Sequence, residues 1–316
     1  MELQHIIIIS PVYNDWECVE YLQNDLQLSI NPSEYTYELI LVNDGSQNGL
    51  PASLLKKNVI VIDLVRNLGH QKAIATGLAY VAAEKKCDWI IVMDADGEDR
   101  PQDIQTLLDA TGNQQDMIWF AQRRKRQENS MFKFLYFFYK IAFKSLTGYL
   151  ITFGNFVLIP FEKAQRLVYV SEIWNHFPGG IMRSKIPYGS VPIDRGTRYR
   201  GQSKMNMVAL IQHGLSSITV NMDIVAVRLL IFSFTLIIIT FLILSVLFGI
   251  KLFSNLAIPG WTSSIGIGLA IILLLAFFFS LLLTFTILNG RVQKTFIPAV
   301  DYKTFIYKIT TSSNQI

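Results

Sequence analysis

The sequence predicts an α/β domain on a doubly wound, mostly parallel sheet, followed by a two-helix transmembrane hairpin. Three observations predict it. Short apolar runs bounded by turn residues alternate with helix-length stretches, polar and acidic residues gather where those runs end, and two long segments near the C-terminus carry no charge.

The runs are HIIIIS (5–10), YELILVN (37–43), NVIVIDL (58–64) and DWIIVMD (88–94), with a weaker DMIWFA at 116–121. Their near-continuous apolar character fits strands covered on both faces. Helix signals lie between them: DWECVEYLQNDLQLSI, GHQKAIATGLAYVAAEKK and PQDIQTLLDA, the last with Pro101 near its start.

Segments 229–250 and 265–288 extend roughly 33 and 36 Å as helices, against a hydrocarbon core of about 30 Å. The connection KLFSNLAIPGWTSS holds a Pro-Gly turn, an interfacial Trp261 and one basic residue, Lys251. Arg195, Arg198, Arg200, Lys204 and Arg228 precede the first segment, and Arg291, Lys294 and Lys303 follow the second. The positive-inside rule therefore expects a multi-pass inner-membrane protein with its large N-terminal domain and tail in the cytoplasm. MELQH leads straight into an apolar strand and has no signal-peptide pattern. The expected organisation is a catalytic domain at 1–204, an interfacial helix at 205–222, the hairpin at 223–290 and a cytosolic tail at 291–316. MFKFLYFFYKIAFKSL (131–146), dense in aromatics and lysines, adds a second interfacial helix, with a core helix as the competing assignment.

Composition narrows the chemistry. Two cysteines are too few for a disulfide framework, and the four histidines lack zinc-ligand spacing. A net charge of +4, clustered at 123–126 and 195–204, favours anionic lipid or phosphate over nucleic acid. No nucleophile elbow or P-loop occurs.

In doubly wound sheets ligands bind beyond the carboxyl ends of the strands. Here those ends carry Ser10-Pro11-Val12-Tyr13-Asn14-Asp15, Asn43-Asp44-Gly45-Ser46, Arg66-Asn67-Leu68-Gly69-His70 and Asp94-Ala95-Asp96-Gly97-Glu98-Asp99. Asp94 and Asp96, two apart, point to one side if the strand continues through them. Such a pair calls for a hard cation, Mg2+ or Mn2+, shared with substrate phosphates. The competing assignment is helix entry, with Asp96 or Asp99 as a cap.

Together these motifs resemble the family-two, GT-A-type glycosyltransferases, and within them the polyprenyl-phosphate sugar transferases typified by dolichyl-phosphate mannose synthase and undecaprenyl-phosphate glucosyltransferases. The matching residues are Pro11-Val12-Tyr13-Asn14, Val42-Asn43-Asp44-Gly45-Ser46, Arg66-Asn67-x-Gly69, Met93-Asp94-Ala95-Asp96, Arg123-x-x-Arg126 and Arg195-x-x-Arg198-x-x-Gly201-x-Ser203-Lys204. The resemblance implies a GT-A fold and an inverting, metal-dependent transfer from a nucleotide-sugar, UDP-glucose as the first guess, to polyprenyl phosphate. It implies donor contacts from Pro11, Tyr13, Asn14, Asp44, Gly45, Ser46, Arg66, Asn67 and Gly69. It places Asp94, Asp96 and Glu98 around Mg2+ or Mn2+, and Arg123, Arg126, Arg195, Arg198, Ser203 and Lys204 at donor and lipid phosphates.

Three positions depart from the family pattern. Glu98 stands where Gln is frequent, Asn155 where Asp is usual on the acceptor side, and His70 where Lys is common. Partners expected are the nucleotide-sugar, undecaprenyl phosphate and membrane lipids; no heptad or small-residue face compels a homo-oligomer. A phosphate acceptor is already anionic near neutral pH, so positioning and charge stabilisation replace a strong general base. A processive polysaccharide synthase and a non-catalytic sugar-nucleotide-binding membrane protein are the alternatives. The former characteristically carries Gln-x-x-Arg-Trp, and no tryptophan here follows an arginine.

Overall fold

Four consecutive isoleucines, Ile6–Ile9, are fully buried, because strand β1 (Gln4–Val12) lies inside a sheet covered on both faces. A computed structural model describes residues 3–112, 116–123, 140–149, 153–200, 214–253, 260–292 and 296–312. The described residues form two units. One comprises the sheet domain with the tail from 296, and the other comprises 140–149 with the two long helices.

In the sheet unit β1 pairs in parallel with β2 (Tyr35–Asn43) and β4 (Trp89–Val92), and β2 with β3 (Val59–Leu64). Alternate residues feed two cores. Ile7, Ile9, Ile40, Val42 and Ile62 pack with helix α2 (His70–Glu84), whereas Ile6, Ile8, Leu39, Leu41 and Val61 pack with α1 (Trp16–Ser29) and α3 (Asp103–Thr111). Each such isoleucine or leucine contributes about 1.5–3 kcal/mol on burial. Gly77 lets α2 approach closely, since a Cβ there would lie 2.7 Å from Val42 and 2.8 Å from Ile9.

Beyond β4 the sheet is mixed. Its order is β7-β5-β6-β4-β1-β2-β3-β8. Strand β6 (Val157–Pro160) runs antiparallel to both β4 and β5 (Ile118–Arg123), and β7 (Tyr188–Ile193) parallel to β5. The tail supplies β8 (Ile306–Thr311), antiparallel to β3. Phe296 and Phe305 pack on Trp174, Tyr302 Oη donates to Glu84 at 2.9 Å, and Ala299 N donates to Val168 O, so the tail is part of the sheet unit.

In the other unit, helices Met222–Phe253 and Trp261–Val292 pack on each other; each contains one of the two uncharged segments read from the sequence. Mean hydropathy is 2.8 in each, and only 11% of the apolar window is buried, the opposite of a soluble core helix. Hydroxyls inside them bond back to carbonyls one turn earlier, as Thr235 to Ile231, Ser280 to Ala276 and Thr284 to Ser280, so these hydroxyls need no water. Residues 140–147, the end of the aromatic stretch, are helical. They stop at Gly148 (φ 84°), where Arg228 donates to the carbonyls of Lys144 and Ser145. Residues 131–139 and 205–213, the remaining parts of the two expected interfacial helices apart from helical 214–219, lie outside the described residues.

Candidate active site

The site sits where β1, β2, β3, β4 and β5 end, entirely within the sheet unit. At the end of β1, Asn14 adopts φ 54°, a conformation asparagine tolerates, and ties to the β2 end: Asn14 N donates to Ser46 Oγ (2.9 Å) and Gln47 N to Asn14 Oδ1 (2.8 Å). Tyr13 is exposed beside this junction and Pro11 is buried in β1. Asp44 is buried, and its carboxylate accepts the amides of Leu68 (2.6 Å) and Gly69 (3.0 Å). Burial pushes its pKa up and these two bonds partly offset that. Gly45, at φ 73°, must be glycine because a Cβ would lie 2.6 Å from Asn67 N. Arg66 and Asn67 are exposed on the same rim.

The acidic segment is a folded turn rather than a continued strand. β4 ends at Val92 and the turn begins at Ala95, so strand alternation does not orient Asp94 and Asp96; each faces a different cation. Asp94 Oδ1 lies 3.2 Å from His70 Nε2, while Asp96 pairs with Arg198 and accepts Glu98 N at 2.9 Å. Asp99 is 2% exposed, accepts Asp94 N (3.0 Å) and meets Arg123 Nη2 (2.9 Å). Glu98 Oε2 lies 2.5 Å from Arg195 and 3.4 Å from Arg123. Neither Asp96 nor Asp99 caps α3, whose N-cap is Gln102.

Crowded acids shape the electrostatics. Burial and the Asp94 charge raise the pKa of Asp96, against the Arg198 ion pair. Burial, then Asp94, pushes Asp99 up to about 7. For Asp94 burial acts upward, but His70, Arg123 and Arg198 outweigh it and hold the carboxyl below its ordinary value. His70 is correspondingly raised: burial opposes this, and the facing Asp94 prevails. His70 is 42% exposed at the rim, so its proton exchanges with solvent readily.

The departures at His70 and Asn155 touch. Phe177 N donates to Gln71 Oε1 (2.6 Å) and Gln71 Nε2 to Asn155 Oδ1 (3.2 Å), and Asn155 Nδ2 lies 2.9 Å from His70 Nε2.

The segment bearing Arg195 and Arg198 lies against the acidic turn. Gly196 N donates to Glu98 O (2.9 Å), Tyr199 N to Asp96 O (2.8 Å) and Tyr199 Oη to Asp25 (2.6 Å), with the Tyr199 ring over Gly97. Arg126, Gly201, Ser203 and Lys204 lie outside the described residues. Gln71, Asp99 and Tyr199 are site residues that sequence reasoning did not single out. Asp99 was visible as one more acid in the run and as a possible helix cap, and Tyr199 as the residue between two arginines.

The residues fit a hard divalent cation. The donors are carboxylate oxygens, and Asp94 Oδ1 is a buried oxygen that makes no properly oriented hydrogen bond despite its nearness to His70. Among the described residues no three acidic, imidazole or thiol groups converge as a closed cage. Asp94 and Asp96 are brought together; Glu98 is directed to Arg123 and Arg195 instead.

Comparison with known proteins supplies the family. The model of glycosyl transferase family 2 matches residues 7–174. An uncharacterized glycosyltransferase of Synechocystis is 27% identical over 67% of this chain and 67% of its own length, and the uncharacterized glycosyltransferase YkcC of Bacillus subtilis is 27% identical over 84% and 83%. The undecaprenyl-phosphate 4-deoxy-4-formamido-L-arabinose transferase of Edwardsiella ictaluri is 24% identical over 66% of this chain and 65% of that one. In fold, the chain resembles glucosyl-3-phosphoglycerate synthase from Mycobacterium tuberculosis, solved with Mn2+, UDP-glucose and phosphoglyceric acid (TM-score 0.53, 12% identity, 70% and 80% covered). The chain has a GT-A fold and belongs to glycosyl transferase family 2.

Proposed function

We propose that this protein transfers a sugar from a nucleotide-sugar to a polyprenyl phosphate, undecaprenyl phosphate being the first acceptor to test and UDP-glucose the first donor. One observation carries the proposal: an acidic turn suited to a divalent cation faces Arg123, Arg195 and Arg198 in a chain that also holds two helices long and apolar enough to cross a bilayer. The acids suit a metal-bridged diphosphate, the arginines suit phosphate oxygens, and the helices suit a lipid acceptor. The undecaprenyl-phosphate 4-deoxy-4-formamido-L-arabinose transferases of Edwardsiella ictaluri and Proteus mirabilis among its relatives, and the Mn2+ and UDP-glucose in a structural neighbour, support the same chemistry.

Asp94 and Asp96 would hold Mg2+ or Mn2+, which when bound neutralises charge growing on the departing diphosphate. Asp44, Gly45, Ser46, Asn14, Tyr13, Pro11, Arg66, Asn67 and Gly69 form the rim for the nucleoside. The arginines orient the acceptor phosphate, whose own oxygen attacks the anomeric carbon in line and inverts it. Asn155, held by Gln71 beside His70, belongs to the acceptor and sugar side. Arg126, Ser203 and Lys204 are assigned to the phosphates by family resemblance.

The chain leaves the sheet unit before the long helices and returns to pair β8 with β3, which supports an even number of crossings. Together with the basic flanks this favours a cytoplasmic sheet unit.

The test is transfer of labelled sugar from UDP- and GDP-sugars into organic-extractable undecaprenyl phosphate, with and without Mn2+ or Mg2+. Metal-dependent labelling is expected; none from any donor would overturn the proposal.

A further inference from the structure

The carboxylate that a divalent cation would most need is already engaged. Asp96 Oδ1 accepts Glu98 N at 2.9 Å, and Oδ2 is taken by Arg198 Nη2. A guanidinium and a divalent cation at that oxygen would stand close enough to repel each other, so the two compete for it.

The backbone around Arg198 does not depend on this ion pair. Gly196 N and Tyr199 N are bonded to Glu98 O and Asp96 O, Tyr199 Oη to Asp25, and Arg200 to Glu17 at 2.8 Å. Gly196 sits so close that a Cβ would come 2.2 Å from Gly97 O. These contacts hold the segment on the acidic turn from both sides of Arg198, whose long side chain turns about its own torsions. The paired side chains are 22% and 14% exposed, so water reaches the pair and screens it.

We propose that Arg198 is an exchangeable counter-ion: it neutralises Asp96 in the ligand-free protein and is displaced by the divalent cation, swinging away on a stationary backbone. This rests on the assignment of Asp96 as a metal ligand above. The consequence is order. The cation alone must compete with a tethered arginine, so it binds weakly until a nucleotide diphosphate adds its own oxygens. Displacement then leaves a guanidinium beside the cation for a substrate phosphate.

The experiment titrates the full-length protein in detergent with Mn2+ alone, following free Mn2+ by electron paramagnetic resonance. Arg198→Met is expected to bind Mn2+ about three- to fivefold more tightly than wild type, the upper part of the range an ion pair supports. Arg195→Met, which removes the same charge from the same segment without touching Asp96, is expected to gain less than about twofold. Equal gains would reduce the effect to net charge and overturn the proposal. Asp96→Asn is expected to lose binding. If it binds like wild type, the metal assignment itself fails. If it loses binding while Arg198→Met gains nothing, the assignment stands and the exchange is wrong. Hydrogen exchange on wild type supplies a readout without a variant: the amides of Gly196 and Tyr199 should stay protected under saturating Mn2+, and deprotection would mean that the segment opens as a whole.

Discussion

Two strand ends in this domain carry buried carboxylates, and they are held in opposite ways. Asp44, at the end of β2, is gripped by main-chain amides of Leu68 and Gly69. The acids after β4 are held largely by side chains: Asp94 by His70, Asp96 by Arg198, Glu98 by Arg195 and Arg123, Asp99 by Arg123. A main-chain donor cannot leave without unfolding its turn, whereas a side-chain cation leaves by rotation. Asp44 is therefore fixed in the rim, and under the proposed function the acidic turn is where ions and phosphates would exchange.

That contrast breaks most sharply at Asp96. Asp96→Asn should lower transfer at least about a hundredfold, as removal of a group that stabilises transition-state charge does, with little change in melting temperature. A comparable fall in stability would make Asp96 as structural as Asp44. Asp44→Ala should do the reverse in a thermal melt, costing roughly 2–4 kcal/mol because two donors lose a buried acceptor. Gly45→Ala should cost about 1–3 kcal/mol from its positive φ, plus the approach to Asn67 N, whereas Gly49→Ala, with open space around it, should be nearly silent.

Asn155→Asp probes the polar chain beside the turn. Replacing Nδ2 with an acceptor adds negative charge next to His70, already raised by Asp94, so the imidazole should titrate at higher pH than in wild type. Nitrogen-15 spectra of the ring read this directly, and an unchanged midpoint would show that Asn155 does not face it. The smallest effect is at Cys87, whose thiol burial, with Asp88 and Glu38, pushes up to about 12. Alkylation near pH 8 should be far slower than for a free thiol; rapid labelling would mean that the end of α2 frays.

Much of this was legible in the residues. The five apolar runs correspond to β1–β5, the three helix signals to α1–α3, and the two uncharged segments to the long helices. Strands β6 to β8 were not. β6 is four residues ending in Pro160, β7 contains Gly189 and Pro192, and β8 is an edge strand with Tyr307 and Lys308 exposed and no residue fully buried. Of the site, the residue types and their gathering at strand ends could be read, but not that Glu98 turns to two arginines or that Gln71, Asn155 and His70 meet.

By itself the sequence determined the class of the domain, the rim that carries its chemistry and the presence of two membrane-length helices, because period, apolar length and turn residues act locally. Only the tertiary structure decided which acid meets which cation and that the tail closes the sheet. Asp96 and Arg198 are 102 residues apart, and Ile62 and Ile309 are joined across two long helices. Such pairings follow from strand order and loop packing, which no local pattern encodes.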